Sequence, residues 1–401
     1  MNLTTIQTAM REQRIDAWLI YDFRGSNSIL PMLVPSESGK RNTTRRAACL
    51  IPSNGDATVI AHGLDAAQFE KLPEGFSRHV YLSWVDLRGT LEALLLGRTR
   101  IAMEYSPGCS LPVVSMVDAG TVELVRSMGV EVVSSAELIQ ACVAVWSEAA
   151  VREHAIASQQ TGEIVKGAFA FIAERLRSEG GKVSEYEVQQ HIMSRFAALG
   201  LETPDGPIVA ANAHAGDPHF EVSATAPSQI APGDWVLIDL WARRPGDDNI
   251  FSDITWTGYV PKNAGDTPSP RHRKVYDTVN AARDASVKLA QQSWAKGEKV
   301  QGWQLDDAAR NVLINAGFPE YVRHRTGHSL SPGQKVHGVG MNLDNLETHD
   351  TREMTAGIGF TIEPGLYLPD FGVRSEINMY VHPTEGPIIT SCVQTDIVMI
   401  R

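Results

Sequence analysis

No apolar run in this chain approaches the ~18 residues that a membrane-spanning helix needs, so a helical membrane protein is not expected. Positive charge is in deficit. Thirty-six Lys and Arg face 47 Asp and Glu, a net charge of −11. That balance argues against the basic face of a general nucleic-acid binder and gives no polybasic route to an anionic membrane. Cysteine is scarce: Cys49, Cys109, Cys142 and Cys392 are scattered and form no CxxC pair. They read as reduced thiols, not as a disulfide frame or a zinc knuckle. Met1 to Arg14 is polar and amphipathic, without a secretory h-region, so a cytoplasmic enzyme-sized protein is expected. The GxSxG elbow, HExxH and Walker A motifs are all missing, which removes three familiar catalytic systems.

What remains is the composition of a soluble globular chain, 43% hydrophobic and 21% charged over 401 residues. That length suggests two domains or three. In the first ~145 residues helix-like and strand-like stretches alternate. Leu3 to Arg14 has helical spacing, Asp16 to Tyr21 is a short apolar strand, and Asn54-Gly55 joins two apolar runs as a hairpin turn. Asp22 to Arg46 reads as a long loop, either functional or simply surface. From about Ser147 the character changes. A long helical pattern runs to Ser178, Ser184 to Glu187 forms a capping box, Ser269-Pro270 opens a third helix, and a fourth runs from about Gln304 to Ala316. Strand-like segments are expected over Pro207–Ala211, Asp234–Leu240, Asp253–Val260, Phe360–Leu368 and Gly372–Val381. Helices clustered apart from hairpins point to an α+β architecture, not a doubly wound sheet.

Two of these hairpins carry acids in unusual surroundings. Asp239 lies inside Val236-Leu-Ile-Asp-Leu-Trp241 with no Lys or Arg in the run, and Asp253 opens Asp-Ile-Thr-Trp on the next strand. Burying either carboxylate alone would be costly, and each taken singly could be a strand-end acid reaching water. The pattern recurs with Glu363, in Thr-Ile-Glu-Pro-Gly, and Glu376, in Val-Arg-Ser-Glu-Ile. Between the hairpins lie His324, His328 and His337. Four carboxylates and an imidazole form a hard, oxygen-rich set suited to a pair of Mn, Fe, Co or Zn ions, which would assist hydrolysis by lowering the pKa of a bridging water.

The order Asp239, Asp253, His328, Glu363, Glu376 resembles the five-ligand pattern of the pita-bread metallopeptidases, the group of methionine aminopeptidase, aminopeptidase P, prolidase and creatinase. Asp-Ile-Thr at the second acid, Gly-His at the histidine, Ile-Glu-Pro-Gly at the fourth ligand and Gly-Val-Arg-Ser-Glu at the fifth carry the likeness across residues 150–401. The resemblance implies a pita-bread catalytic domain over residues 147–401, preceded by a smaller α/β domain of the creatinase and prolidase type over 1–146. It implies two divalent ions per subunit, manganese foremost, and a metal-bridging hydroxide that attacks the bond between an N-terminal residue and proline. Glu363 would be both ligand and proton carrier, His219 and His337 would assist catalysis, and His324 and Arg374 would line the substrate site. Each of these histidines has an ordinary surface role as its alternative. Arg374 has two readings, pairing with a ligand carboxylate or with a substrate carboxylate. The resemblance also implies a homodimer, with Arg24 to Arg46 as the candidate border, while the charge balance leaves neither nucleic acid nor membrane as an expected partner.

Two departures stand out. The residues after the first acid are Leu240 and Trp241, where the family commonly has a small residue and glycine. The link Ala242–Asn249 is longer than usual and bears Arg243 and Arg244, which would select an anionic substrate or lie in a solvated turn. They motivate a second reading, a hydrolase of the same fold acting on a non-peptide amide, amidine or cyclic amidine. A third, a binding module on a dead fold, sits poorly with five retained ligands.

Overall fold

Packing divides the chain after Ala144 into two units, Met1–Ala144 and Val145–Arg401, in a computed structural model that describes residues 3–35, 43–178 and 180–401. The division falls two residues before the expected boundary. Trp146 belongs with the second unit, because its backbone N–H donates to Gly357 and its indole to Leu330.

The first unit is built on β1 (Ala17–Phe23), β2 (Arg46–Pro52), β3 (Ala57–His62), β4 (Phe76–Tyr81), β5 (Arg100–Met103) and β6 (Glu131–Ser134), in the order β4-β3-β2-β1-β5-β6. The β1–β2 and β2–β3 pairs are antiparallel and the other three are parallel. Ala17, Leu19 and Tyr21 alternate along β1. They share a core with Leu87, Leu91 and Leu95 of the helix Trp84–Leu95 and with Val122 and Val125 of the helix Ala119–Arg126. This is the smaller α/β domain. The β2–β3 connection is not the two-residue primed turn that Asn-Gly predicts: Gly55 alone is left-handed, at φ 86°, and Asn54 is not. The segment read as a loop after Tyr21 contains the helix Ile29–Leu33, whose Ile29, Leu30 and Leu33 are buried. Asp22 orders its start by accepting from the N–H groups of Gly25 and Asn27 and from Thr43. Arg41 lies outside the described residues, and Arg45 is exposed.

One acid in this unit is fully enclosed. Glu104 accepts from Trp18 Nε1 at 2.6 Å, Asn27 Nδ2 at 2.6 Å and Ser135 Oγ at 3.0 Å. Burial pushes its pKa up to about 7, against the pull of those three donors. A carboxyl raised in the fold stabilises below its unfolded pKa of 4.5 and loses that contribution as pH rises through about 7. Glu104→Gln is therefore expected to flatten the stability slope between pH 5 and 7, by on the order of 3 kcal/mol, measured by denaturant titration at several pH values. An unchanged slope would contradict it.

The second unit contains β7 (Val183–Ser184), β8 (Ile208–Ala211), β9 (Gln229–Ile230), β10 (Trp235–Ala242), β11 (Ser252–Tyr259), β12 (Ser329–Leu330), β13 (Gly359–Ile362), β14 (Gly365–Tyr367), β15 (Gly372–Arg374), β16 (Ile377–His382), β17 (Gly386–Ile389) and β18 (Val398–Met399). They form sheets β18-β11-β10-β8 and β12-β13-β16-β17 and the pairs β14-β15 and β7-β9. The long helix Glu148–Arg177 starts where Ser147 caps Ala150 N–H. It buries Ala157, Ile164, Val165, Ala168, Phe169 and Ile172 against Val236, Ile238, Leu240 and Ala242 of β10 and Ile254 and Trp256 of β11. The Ser184–Glu187 capping box and the Pro270 start are present. The fourth helix begins earlier than expected, at Gly302, because Gln301 and Gln304 cap each other.

Strand alternation then dictates where the acids point. With the even residues of β10 facing the long helix, the odd residues Trp235 and Leu237 pack on the opposite side against Val275, Tyr276 and Val279 of the helix Pro270–Lys296. Asp239 and Trp241 continue that second face. In the β10–β11 register Asp239 lies opposite Thr255 and Trp241 opposite Asp253, so both aspartates share it.

Candidate metal centre

Phe360–Leu368 and Gly372–Val381, expected as continuous strands, are each broken. β13 pairs with β16 as far as Ile362 opposite Ile377, and β14 pairs with β15 from Gly365 opposite Arg374. The register is the same on both sides, so Glu363 and Glu376 face each other across the gap. Pro364 brings no N–H to the ladder. The two glutamate N–H groups turn outward instead, Glu363 to the Thr326 carbonyl at 2.7 Å and Glu376 to the Thr255 carbonyl at 3.3 Å. The break thus ties this hairpin to the histidine turn on one side and to β11 on the other.

The histidine turn is fixed from beneath. Asp306, in the helix Gly302–Asn315, accepts from Thr326 N–H at 3.0 Å and from its hydroxyl at 2.6 Å. Gly327 packs so closely on β13 that a Cβ would lie 2.1 Å from the Thr361 carbonyl oxygen. His328 N–H donates to Thr361 Oγ1, which donates in turn to Glu363 Oε1, both at 2.9 Å. His328 is buried, and its Nδ1 lies 3.1 Å from the Ser329 carbonyl. A carbonyl can only accept, so Nδ1 carries the proton and Nε2 presents a lone pair.

That lone pair faces two carboxylates. Nε2 is 3.4 Å from Asp253 Oδ2 and 3.4 Å from Glu363 Oε1. One donor atom each from Asp253, His328 and Glu376 lies within 4.8 Å of the others, and all three residues are buried. Burial pushes the His328 pKa down to about 3, so the imidazole does not supply a proton to this gap. The carboxyls move the opposite way. Burial holds Asp239, Asp253 and Glu376 above their ordinary range, and neighbouring carboxylates push Asp253 and Glu376 further. Asp239 Oδ1 is buried with no hydrogen-bond partner. A lone pair aimed at carboxylates and an orphaned carboxylate oxygen fit cations among these groups.

Among the described residues, the guanidinium hydrogen-bonded to these acids is that of Arg374, which is buried. Its Nη2 donates to Asp239 Oδ2, its Nε to Thr255 Oγ1 at 2.9 Å and its Nη1 to the Tyr367 hydroxyl at 2.9 Å. The guanidinium thus pairs with a ligand-type carboxylate, and each Nη atom keeps one further N–H beyond these bonds. Thr255 links this arm to the next by donating to Glu376 Oε2 at 2.7 Å. His324 is similarly held, with Nδ1 2.6 Å from the Arg325 carbonyl and Nε2 2.6 Å from the Tyr367 hydroxyl. His337 stands at the open side, its ring 4.0 Å from that of His328, whose proximity holds its pKa down at about 3. His219 is exposed, near enough for its charge to be felt at His337.

Arg243 and Arg244 do not serve the site. Arg243 is buried, pairs with Glu202 at 2.7 Å and Asp247 at 3.0 Å, and stacks on Phe251. Arg244 pairs with Glu153 at 3.3 Å. Arg243 is thus used inside the fold, Arg244 is half-buried on Glu153, and the residues Pro245 to Asp248, between them and Asn249, form an exposed turn. Tyr367, Thr255, Thr361 and Asp306 were not singled out by sequence reasoning. An acid in the second turn of a helix and hydroxyls on apolar strands are the traces they leave there.

A cluster of carboxylates and one neutral imidazole at the junction of two strand hairpins is the signature of a metallohydrolase. Residues 157–383, more than half of the chain, match metallopeptidase family M24, and the chain belongs to that family, with its pita-bread fold. Over 340 residues it is 25% identical to an uncharacterized peptidase of Staphylococcus saprophyticus, covering 84% of this chain and 85% of that protein. It is 31% identical over 202 residues to the Xaa-Pro dipeptidase of Lactobacillus helveticus, covering 50% of this chain and 46% of that one. The chain thus matches about half the length of the named Xaa-Pro dipeptidases. Among solved structures, dipeptidase PepE from Mycobacterium ulcerans superposes with a TM-score of 0.73 at 23% identity, covering 99% and 96% of the two chains. The prolidase from Pyrococcus horikoshii superposes with 0.64 at 21% identity, covering 99% of each. At those identities the superpositions speak for the fold.

Proposed function

We propose that this chain is a metal-dependent peptidase that hydrolyses the bond between an N-terminal residue and a following proline in short peptides. The observation that carries this is the convergence of Asp253, His328 and Glu376 donor atoms, all buried, within 4.8 Å of one another. Asp239, Asp253, His328, Glu363 and Glu376 would hold two divalent ions, manganese foremost and cobalt, zinc or iron in its place. Such ions supply Lewis acidity, a nucleophile at neutral pH and a polarised carbonyl. Glu363 takes the proton of the attacking water and returns it to the leaving amine. In support, it is the least buried of the four carboxylates, and the Thr361 hydroxyl fixes its other oxygen. His337 and His219 contact the substrate from the open side, while His324 acts through Tyr367. The proline preference rests on likeness to the named Xaa-Pro dipeptidases. The few, scattered cysteines, with no CxxC pair, support a reducing, cytoplasmic setting. Among the described residues no helix is long and apolar enough to cross a membrane. A homodimer rests on the family resemblance alone.

Protein loaded with Mn or Co is expected to release the first residue of Ala-Pro and Leu-Pro and to leave Ala-Ala largely intact, followed by chromatography of the free amino acids. Turnover of simple amides or cyclic amidines without any Xaa-Pro cleavage would replace this reading with the non-peptide one.

A further inference from the structure

The residue two places beyond Asp239 is a large aromatic one. Trp241 continues the β10 face that bears Asp239 and lies directly opposite Asp253 in the ladder. Its neighbours Leu240 and Ala242 point the other way, into the core under the long helix. Trp241 itself is partly exposed, yet its Nε1 is buried and has no acceptor. Buried indole N–H groups normally find one. In this chain Trp18 donates to Glu104, Trp146 to the Leu330 carbonyl, Trp235 to the Gly372 carbonyl and Trp303 to Gln301. Trp256, also without an acceptor, faces the core under the long helix. Trp241 differs from it in facing the carboxylates.

Two unsatisfied polar atoms therefore lie two residues apart on one strand face, Asp239 Oδ1 and Trp241 Nε1. Their chemistry differs. A carboxylate oxygen is completed by a cation, whereas an N–H needs an oxygen with a lone pair, and no metal ion provides that. Resting on the peptidase reading above, we infer that Trp241 is a specificity-determining residue of this site: its indole borders the substrate beside Asp253, and its N–H donates to a substrate oxygen. That oxygen is a peptide carbonyl or the free C-terminal carboxylate, two acceptors of one kind.

Trp241→Phe keeps the ring and removes the donor, and Trp241→Gly removes both. With metal-loaded protein, kcat and KM are measured for Ala-Pro and for alanyl-pyrrolidine, which lacks the carboxyl group, together with calorimetric binding of an uncleavable ketone analogue of Ala-Pro, in which a ring carbon replaces the scissile nitrogen and the carbonyl and carboxylate are kept. The phenylalanine variant is expected to raise KM and weaken the analogue about tenfold, with kcat falling by less, as for loss of one enclosed hydrogen bond. A penalty on both substrates assigns the carbonyl, and a penalty on Ala-Pro alone assigns the carboxylate. Unchanged KM and analogue binding in Trp241→Phe, with wild type active, would overturn this inference while leaving the peptidase reading in place. A wild type that neither cleaves nor binds these compounds would overturn the peptidase reading itself, and this inference with it.

Discussion

Replacing Asp253 with asparagine is expected to lower turnover about a thousandfold, the scale of losing several kcal/mol of metal assistance, while making the metal-free chain more stable. The two effects share a cause. Asp253 is buried, its carboxylate faces the His328 lone pair at 3.4 Å, and burial and the neighbouring acids hold its pKa well above the ordinary range. Without cations that carboxylate is a burden on the fold, and an amide of the same shape relieves it. Its backbone N–H and carbonyl remain bound to Asn378, so the strand keeps its register. A gain of about 1 kcal/mol would raise the melting temperature of the metal-free protein by roughly 2–4 °C. Calorimetry with and without chelator reads one effect and peptide release reads the other. A variant that stays active, or that melts lower when metal-free, would contradict this account of Asp253.

Arg374→Ala is expected to act in the reverse direction on stability. Its guanidinium is bound directly to Asp239, and it also holds Thr255 and Tyr367. Removing one member of a buried pair leaves the other charge uncompensated, at a cost of about 3–5 kcal/mol. Because Asp239 would lose its orientation, metal affinity or activity should also drop by about 10–100-fold, as for loss of a group that orients a ligand. Lysine is not expected to rescue it, since one ammonium cannot reproduce a planar fork that spans three acceptors. Metal affinity measured by competition with a chromophoric chelator, alongside thermal melting, checks both effects. Wild-type affinity in the alanine variant would show that Asp239 needs no anchor.

The acids of this site are legible in the sequence because strand geometry is local. Asp239 and Asp253 sit on two arms of one hairpin, and period-two alternation suffices to put them on one face. Glu363 and Glu376 repeat that logic, although the strand break at Glu363-Pro364 was not foreseen. A ladder tolerates a break there only because Thr326 and Thr255 take the freed N–H groups, and those partners come from distant segments. The same distance hides the rest. Arg374 meets Asp239 across 135 positions and Thr255 across 119. A threonine on an apolar strand looks like any β-branched residue until its hydroxyl is seen bridging His328 and Glu363. Arg243 and Arg244 show the converse error. Next to turn residues both look solvent-facing, but Glu202 pairs with Arg243 inside the fold, while Arg244 stays partly exposed on Glu153.

Cations are expected to complete the carboxylate cluster, and a metal titration tests that most directly. Protein stripped with chelator is titrated with Mn while bound ions per chain and release of alanine from Ala-Pro are followed in the same samples. Activity is predicted to be absent at the start and to reach its plateau as two ions per chain are bound. Full activity in the stripped protein, or a plateau reached with no ion retained, would contradict it.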